Sequence, residues 1–350
     1  MSYSRVRRRL PVVTFIALIF LLSLFTLMYK LYSPILVSNA NMKSTARLKD
    51  SFTAATLLSS NCTRMPVWTK GEYKFFDDRY SNISTIWSSK HKEMTPEALQ
   101  WWLRIQQSKD TFSTSDLRNL VGKLLEIIPD VMPYATNVSN RCLQCAVVGN
   151  SGNLRDSRYG QLIDSHDYIM RMNTAKTVGF EKDVGSRTTH HFMYPESFVE
   201  VIGETKFVLI PFKPLDVSWL ISALTTGTIV RTYMPVRKQI NVSKKMIEVY
   251  NPAFMYYVHK TWNELHGRYP STGMLVLLFA MHICDQVNVF GFGATSKGNW
   301  DHYYQPPVEP SLEKDSAFKL TGVHNAEFET DIVKQLEEIG KITVYRGSRV

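Results

Sequence analysis

Cysteine is scarce: the 350-residue chain holds four, Cys62, Cys142, Cys145 and Cys284. That is too few for a small disulfide-stapled scaffold of this length. No internal repeat and no long low-complexity tract occurs, and 44% of the residues are apolar, which excludes a disordered chain. GxGxxG spacing and a Walker lysine are both missing, so dinucleotide and P-loop readings are poor. Acidic residues are outnumbered, 31 Asp+Glu against 41 Lys+Arg, for a formal net charge of +10. This excess invites a nucleic-acid reading until the charges are located.

Most of the excess lies at the N-terminus. Residues 1–61 carry eight Lys/Arg and one acidic residue, a formal +7, which leaves residues 62–350 at only +3. No nucleic-acid surface is implied. Leu10 to Tyr29 forms twenty residues without a charge, and about twenty span a bilayer core as a helix. Arg5, Arg7, Arg8 and Arg9 precede the run and only Lys30 follows directly, so the positive-inside rule keeps the N-terminus cytosolic. The expected layout is a cytosolic tail (1–9), a transmembrane signal anchor (10–29), a polar stem (30–61) and a lumenal globular domain (62–350). A cleaved signal peptide competes, because Ser38-Asn39-Ala40 resembles a small-x-small site. The apolar run exceeds an h-region, however, and that site lies well beyond its end.

Lumenal topology gives meaning to four Asn-x-Ser/Thr sequons, at Asn61, Asn82, Asn137 and Asn241, which glycosylation would require at the surface. Four cysteines allow three complete pairings. Cys142-Leu-Gln-Cys145 has CxxC spacing, which also fits a redox or zinc site. A four-cysteine zinc site normally brings two close pairs, and an oxidising lumen favours structural disulfides.

Beyond Cys62, short apolar runs alternate with amphipathic ones. Strands are expected at Ala146–Gly149, Tyr168–Met172, His191–Tyr194, Phe207–Phe212, Val287–Phe292 and Ile342–Tyr345. Helices are expected at Pro96–Gln107, Asp116–Ile127, Val217–Thr225, Thr272–Cys284 and Ala326–Glu338. This alternation predicts a single Rossmann-like α/β domain with a mostly parallel central sheet flanked by helices. Its ligand edge lies at the C-terminal ends of the strands.

Three segments there nominate a site. After an apolar strand, Gly149-Asn150-Ser151-Gly152-Asn153 would let backbone amides approach a ligand, though a tight strand-to-helix turn explains it equally well. In Arg268 to Gly273, Ser271 or Thr272 can cap the following apolar helix, whose N-terminal amides suit one phosphate. A capped core helix is the plainer explanation. His302, in Trp300 to Tyr304, follows a Gly-rich stretch, and His324, at an expected helix start, would stay neutral and able to accept a proton. A lone histidine is more often structural.

Together these segments resemble the animal sialyltransferases. Residues 149–197, GNSGNLRDSRYGQ through HHFMYPES, are similar to that family's large motif, and Arg268 to Gly293 to its small motif. His302-Tyr303-Tyr304 resembles the third motif and His324 to Glu329 the HxxxxE motif. The order matches, the similarity covers most of residues 62–350, and it is closest to β-galactoside α-2,3-sialyltransferases acting on Gal-β1,3-GalNAc.

The resemblance implies a sialyltransferase variant of the GT-A fold and transfer of sialic acid from CMP-sialic acid, a co-substrate, to the galactose 3-hydroxyl. The acceptor would be a galactose-terminated glycoprotein or glycolipid. It assigns Asn150, Ser151, Asn153 and Asn173 to the nucleotide side of the donor, with Ser271, Thr272, Gly273 and Gly293 closing around it. Tyr233 and Tyr269 match tyrosines of the donor and phosphate pocket, and Gln106, with Tyr269, an acceptor site. His324 falls on the general base and His302 on a histidine at the donor phosphate. Disulfides Cys145–Cys284 and Cys62–Cys142 are implied, as is a single-pass type II Golgi membrane location. No Asp-x-Asp, the metal-holding motif of many nucleotide-diphosphate sugar transferases, occurs in the chain, so neither metal nor cofactor is expected. The chain departs from close relatives by lacking extra cysteines near Cys62. Tyr304 stands where tryptophan is common, and Asn325 and Glu327 replace aspartates. Residues 305–317 are longer than in those relatives and read as a mobile active-site flap. The competing class is a non-catalytic membrane-anchored glycan-binding protein on the same fold, against which the two motif histidines count.

Overall fold

The computed structural model describes residues 66–105, 112–130, 134, 142–294, 300–306 and 322–347. All of them belong to Leu57–Val350, one of two units into which the chain divides. The expected anchor and stem, Asn61, Cys62, Gln106, Asn137 and most of the expected flap lie outside them.

Seven strands form one sheet: β1 (Gln144–Val148), β2 (Tyr168–Met172), β3 (His190–Met193), β4 (Lys206–Leu209), β5 (Ile247–Val249), β6 (Gln286–Phe290) and β7 (Thr343–Tyr345). Their order is β5-β4-β3-β2-β1-β6-β7, and every neighbouring pair is parallel. β1 is buried at all five positions, as strands covered on both faces are. The expected strands correspond to six of these, Tyr168–Met172 with the same bounds and the others with shifted ends. Phe207–Phe212 stops at Leu209, and β5 is an addition. Only three residues long and set in polar surroundings, β5 joins the sheet by pairing Phe207 with Ile247 and Leu209 with Val249.

Helix starts follow local chemistry. In α1 (Pro96–Arg104), Thr95 accepts from the Ala98 N–H at 3.2 Å and Pro96 takes the first turn. Its fully buried Trp102 donates through Nε1 to the Pro211 carbonyl at 2.6 Å. α2 (Thr114–Ile127) begins with a reciprocal Ser113–Asp116 capping box. α3 (Pro214–Ala223) packs against α2, and α4 (Pro252–Tyr257) against α1. α5 (Thr272–Ile283) is apolar around its circumference, every residue from Met274 on is buried, and it packs on β1, β2 and β6. α6 (Ala326–Glu338) buries Ile332 and Leu336 and exposes its charged face.

Cys145 of β1 is bonded to Cys284, just past the end of α5, across 139 residues of chain. Cys142 is also disulfide-bonded. The CxxC pair therefore looks outward, and the redox and zinc alternatives fall. Asn82 and Asn241 are exposed. Among the described residues no helix is long and apolar enough to cross a membrane.

Candidate active site

The strand order reverses between β1 and β6, and in a parallel sheet the crevice beyond the carboxyl ends at such a switch is where ligands sit. The loops leaving these two strands touch. Gly149 donates to the Phe290 carbonyl at 2.8 Å and Ser151 to that of Gly291 at 3.2 Å. A Cβ on Gly149 would fall 2.4 Å from the Gly291 oxygen, so only glycine fits. Asn153 donates its amide to the Phe292 carbonyl and Asn150 to that of Met172, both at 3.0 Å. The backbone N–H of Asn173, beyond β2, donates to Phe192 at 2.9 Å. The side-chain oxygens of Asn150, Asn153 and Asn173 are all buried without a partner. Three orphaned acceptors at one sheet edge match a ligand rich in hydroxyl or amino donors, since buried polar atoms are otherwise paired. Ser151 caps the following turn, its Oγ accepting from Asn153 at 3.3 Å.

His302 is held against this loop. Residues 151 and 302 form an antiparallel bridge, Gly152 donates to the Asp301 carbonyl at 2.6 Å, and Tyr303 donates to Asn150 at 3.0 Å. The Arg155 guanidinium donates to the carbonyls of Tyr303 at 2.8 Å, His302 at 3.0 Å and Gln305. The His302 ring stacks on Tyr304 at 5.1 Å. Burial pulls its pKa below the usual histidine value, opposed by the neighbouring Asp301 carboxylate, and its Nδ1 is buried without a partner.

Phe292 links this group to a second one. Its carbonyl receives Asn153, and its ring lies 3.4 Å from where a Cβ on Gly273 would sit. Gly273 opens α5 with Thr272, behind the cap Ser271, whose Oγ accepts from Met274 at 3.1 Å. These N-terminal amides are half-buried at the crevice and carry the positive end of the helix dipole. Gly293 is half-buried just past Phe292.

His324 precedes the α6 cap, which is Asn325, accepting from Phe328 at 3.0 Å. Its Nδ1 lies 2.9 Å from the Tyr269 carbonyl. A carbonyl only accepts, so Nδ1 carries the proton and Nε2 is the ring's basic nitrogen. The Tyr269 ring meets the imidazole edge-on at 5.0 Å. An open recess of about 350 Å³ is lined by Gly267, Gly322, His324, Asn325, Ala326 and Glu327. One turn into α6, buried Glu329 accepts from the Ser271 N–H at 2.8 Å and from Asn263 Nδ2 at 3.0 Å, tying the histidine's helix to the α5 cap. Burial raises the Glu329 pKa above the usual carboxylate value.

Tyrosines close the remaining side. Tyr233, on the exposed loop after α3, lies with its ring 5.1 Å from Lys213 Nζ. Burial, then the Glu196 carboxylate, raises the pKa of Tyr233, and Tyr194 and Tyr269 contribute. Tyr194 is raised likewise, by burial first, with Glu196, Tyr269 and Tyr304 among the neighbours. The assigned residues from Asn150 to Gly293 thus gather with His302, Tyr269 and His324 at the carboxyl edge. Tyr194, Glu196, Lys213 and Arg155 had no role assigned from the sequence. Of these, Arg155, Tyr194 and Glu196 lie inside the large motif, where a cation, a hydroxyl and a carboxylate were the available signals. Among the described residues no group of three His, Cys, Asp or Glu side chains is placed to hold a metal ion.

The profile of glycosyltransferase family 29 (sialyltransferase) matches residues 86–341. The chain is 50% identical over 291 residues to CMP-N-acetylneuraminate-beta-galactosamide-alpha-2,3-sialyltransferase 2 of Rattus norvegicus, covering 83% of this chain and 81% of that one. It is 46% identical over 275 residues to the corresponding sialyltransferase 1 of Homo sapiens, covering 78% of each. A crystal structure of a mammalian sialyltransferase in complex with Gal-beta-1-3GalNAc-ortho-nitrophenol superimposes with a TM-score of 0.74 at 43% identity, covering 82% of this chain and 99% of that chain. The chain therefore belongs to glycosyltransferase family 29, the sialyltransferases.

Proposed function

We propose that the chain transfers sialic acid from CMP-sialic acid to the 3-hydroxyl of a terminal galactose, with Gal-β1,3-GalNAc on O-glycans or glycolipids as acceptor. The observation that carries this reading is the placement of His324, oriented by Tyr269 through Nδ1, on a segment bonded to the cap of α5. A base thereby stands beside an anion site, which Phe292 links to Asn153, whose side-chain oxygen is orphaned like those of Asn150 and Asn173.

The reaction follows from these groups. His324 Nε2 takes the proton of the galactose 3-hydroxyl as its oxygen bonds to the anomeric carbon of sialic acid. The bond from that carbon to the phosphate oxygen breaks, and CMP leaves with the electron pair. Attack opposite the leaving group inverts the anomeric configuration. Charge developing on the single phosphate is met by the α5 N-terminal amides, His302 and the Tyr233 hydroxyl, donors fixed before the reaction. One phosphate carries less charge than a diphosphate, and the chain has no Asp-x-Asp, so this reading needs no metal. It also anchors the chain in the Golgi membrane through residues 10–29, with the enzyme unit lumenal.

A positioned general base contributes about 10² to 10⁴ in rate. His324→Ala should therefore lower kcat by that factor while CMP still binds and the unfolding midpoint stays near that of the parent. Parental turnover by this variant would refute the assignment.

A further inference from the structure

Beyond β3 and β4, three charged side chains are buried together. Lys213 Nζ lies 2.6 Å from Asp216 Oδ1 and 3.1 Å from Glu196 Oε1, and the side chains are 9%, 0% and 3% exposed. Lys213 also gives its backbone N–H to Asp216 Oδ2 at 3.2 Å, which ties Lys213 to the first turn of α3. Buried ionic clusters seldom stabilise a fold better than apolar residues would, so the role of this one lies in what it orients.

Glu196 Oε1 takes a further hydrogen bond, from the Thr232 hydroxyl, and Lys213 Nζ sits 5.1 Å from the neighbouring Tyr233 ring. The hydrogen bonds of the loop tip otherwise run within it: Thr232 to Met234 at 2.9 Å, Val236 to Val230 at 3.0 Å, and Arg231 to the Tyr233 carbonyl at 3.5 Å. The tip is exposed, with Val230 at 52%, Tyr233 at 57% and Met234 at 50%. The loop is held to α3 on either side of the tip, by Ile229 N–H to Ser222 Oγ at 2.9 Å and by Trp219 Nε1 to the Arg237 carbonyl at 2.8 Å, and between them, over residues 230–236, its polar attachment among the described residues is the bond to Glu196 together with the approach of Lys213.

We propose that Glu196, through Thr232, and Lys213, beside the Tyr233 ring, are positioning residues that hold Tyr233 at the donor phosphate. This rests on the reading of Tyr233 as a donor-pocket residue. Rigid placement matters because a donor aimed at the leaving group before binding needs no reorganisation during reaction, whereas a loose tip would be ordered at the expense of donor affinity.

The test uses the full chain in detergent, with Thr232→Val, Thr232→Ser and Glu196→Gln, CMP-sialic acid and a Gal-β1,3-GalNAc acceptor. A hydrogen bond to a charged group is worth about tenfold in an equilibrium constant. Thr232→Val should raise the KM for CMP-sialic acid and the Kd for CMP by that factor, leaving the acceptor KM within about twofold. Thr232→Ser, which keeps the hydroxyl, should behave as the parent, and Glu196→Gln should fall between. Parental CMP affinity in Thr232→Val overturns the proposal, as does an equal loss in Thr232→Ser. So does a rise in both KM values accompanied by a lowered unfolding midpoint, the signature of a merely structural role. A parent chain that binds no CMP would instead overturn the underlying reading of the site, and this proposal with it.

Discussion

Glu329 gives the sharpest expectation. The residue is 8% exposed and its carboxylate accepts the Ser271 N–H at 2.8 Å and Asn263 Nδ2 at 3.0 Å, so one side chain joins α6, the α5 cap and the Asn263 segment. Glu329→Ala removes the acceptor from the buried Asn263 amide and the half-buried Ser271 N–H, and each donor left unsatisfied costs about 1–3 kcal/mol. The sum, roughly 2–6 kcal/mol, is a large part of the ~5–15 kcal/mol that keeps a domain folded. At about 2 °C per kcal/mol for a unit of this size, the unfolding midpoint should fall by roughly 4–12 °C. Glu329→Gln keeps the volume and an acceptor oxygen and loses the charge-assisted part of the bonds, so about 1 kcal/mol is expected. Because Ser271 starts the helix whose amides face the crevice, CMP affinity should fall with stability in the alanine variant and much less in the glutamine one. Thermal unfolding and calorimetric CMP binding on the same preparations measure both. An alanine variant with the parental midpoint and affinity would refute the network.

Three further outcomes are expected. Burial lowers the pKa of His190 to about 3 and of His191, His259 and His282 to about 4. Folded values below the ordinary 6.5 mean that this stability is full above about pH 6.5 and lost as pH falls toward 4. Burial acts oppositely on Asp216, whose pKa rises to about 7, so its contribution is lost as pH rises from about 4 to 7; burial raises the pKa of Glu329 in the same direction. With His190, His191, His259 and His282 gaining protons and Asp216 losing one, unfolding at pH 5.5 should take up protons net, measurable by calorimetry in buffers of different ionisation enthalpy, and no uptake would contradict it. Replacing both Cys145 and Cys284 by serine opens a closure of 139 residues, which should cost about 2–5 kcal/mol in denaturant titration. An unchanged midpoint would count against this estimate. Gly149→Ala would place its Cβ 2.4 Å from a backbone oxygen that cannot swing away, so about 1–3 kcal/mol of overpacking should separate the two loops and weaken CMP binding. Parental CMP affinity would show that the loops have room.

The sheet was legible where an apolar run of three or more stands out within the strand, as Cys145–Val148 in β1 and Tyr168–Met170 in β2. β5 was not, because Glu248 interrupts its three residues, and this carboxylate becomes acceptable in the interior only through Lys206 at 2.5 Å and the Tyr134 hydroxyl at 2.6 Å. α4, aromatic around its circumference as Pro-Ala-Phe-Met-Tyr-Tyr, shows no period to read. The motif histidines and the Gly-rich loop were visible because each is local in sequence. Their joint placement was supplied by the family resemblance and by the strand order, which sets the loops of β1 and β6 side by side. Glu196, Lys213 and Thr232 were invisible because their contact joins the ends of two strands to a loop, and nothing in residue spacing encodes it. Glu329 was visible as a motif position, while its tie to Ser271 required the packed helices.

The central claim is transfer of sialic acid by these residues. Detergent-solubilised full chain incubated with labelled CMP-sialic acid, EDTA and Gal-β1,3-GalNAc should yield a product with sialic acid on the galactose 3-hydroxyl. Transfer should continue at an undiminished rate in the chelator. Absence of transfer to β1,3- and β1,4-linked galactosides alike, by chain that binds CMP, would contradict the account.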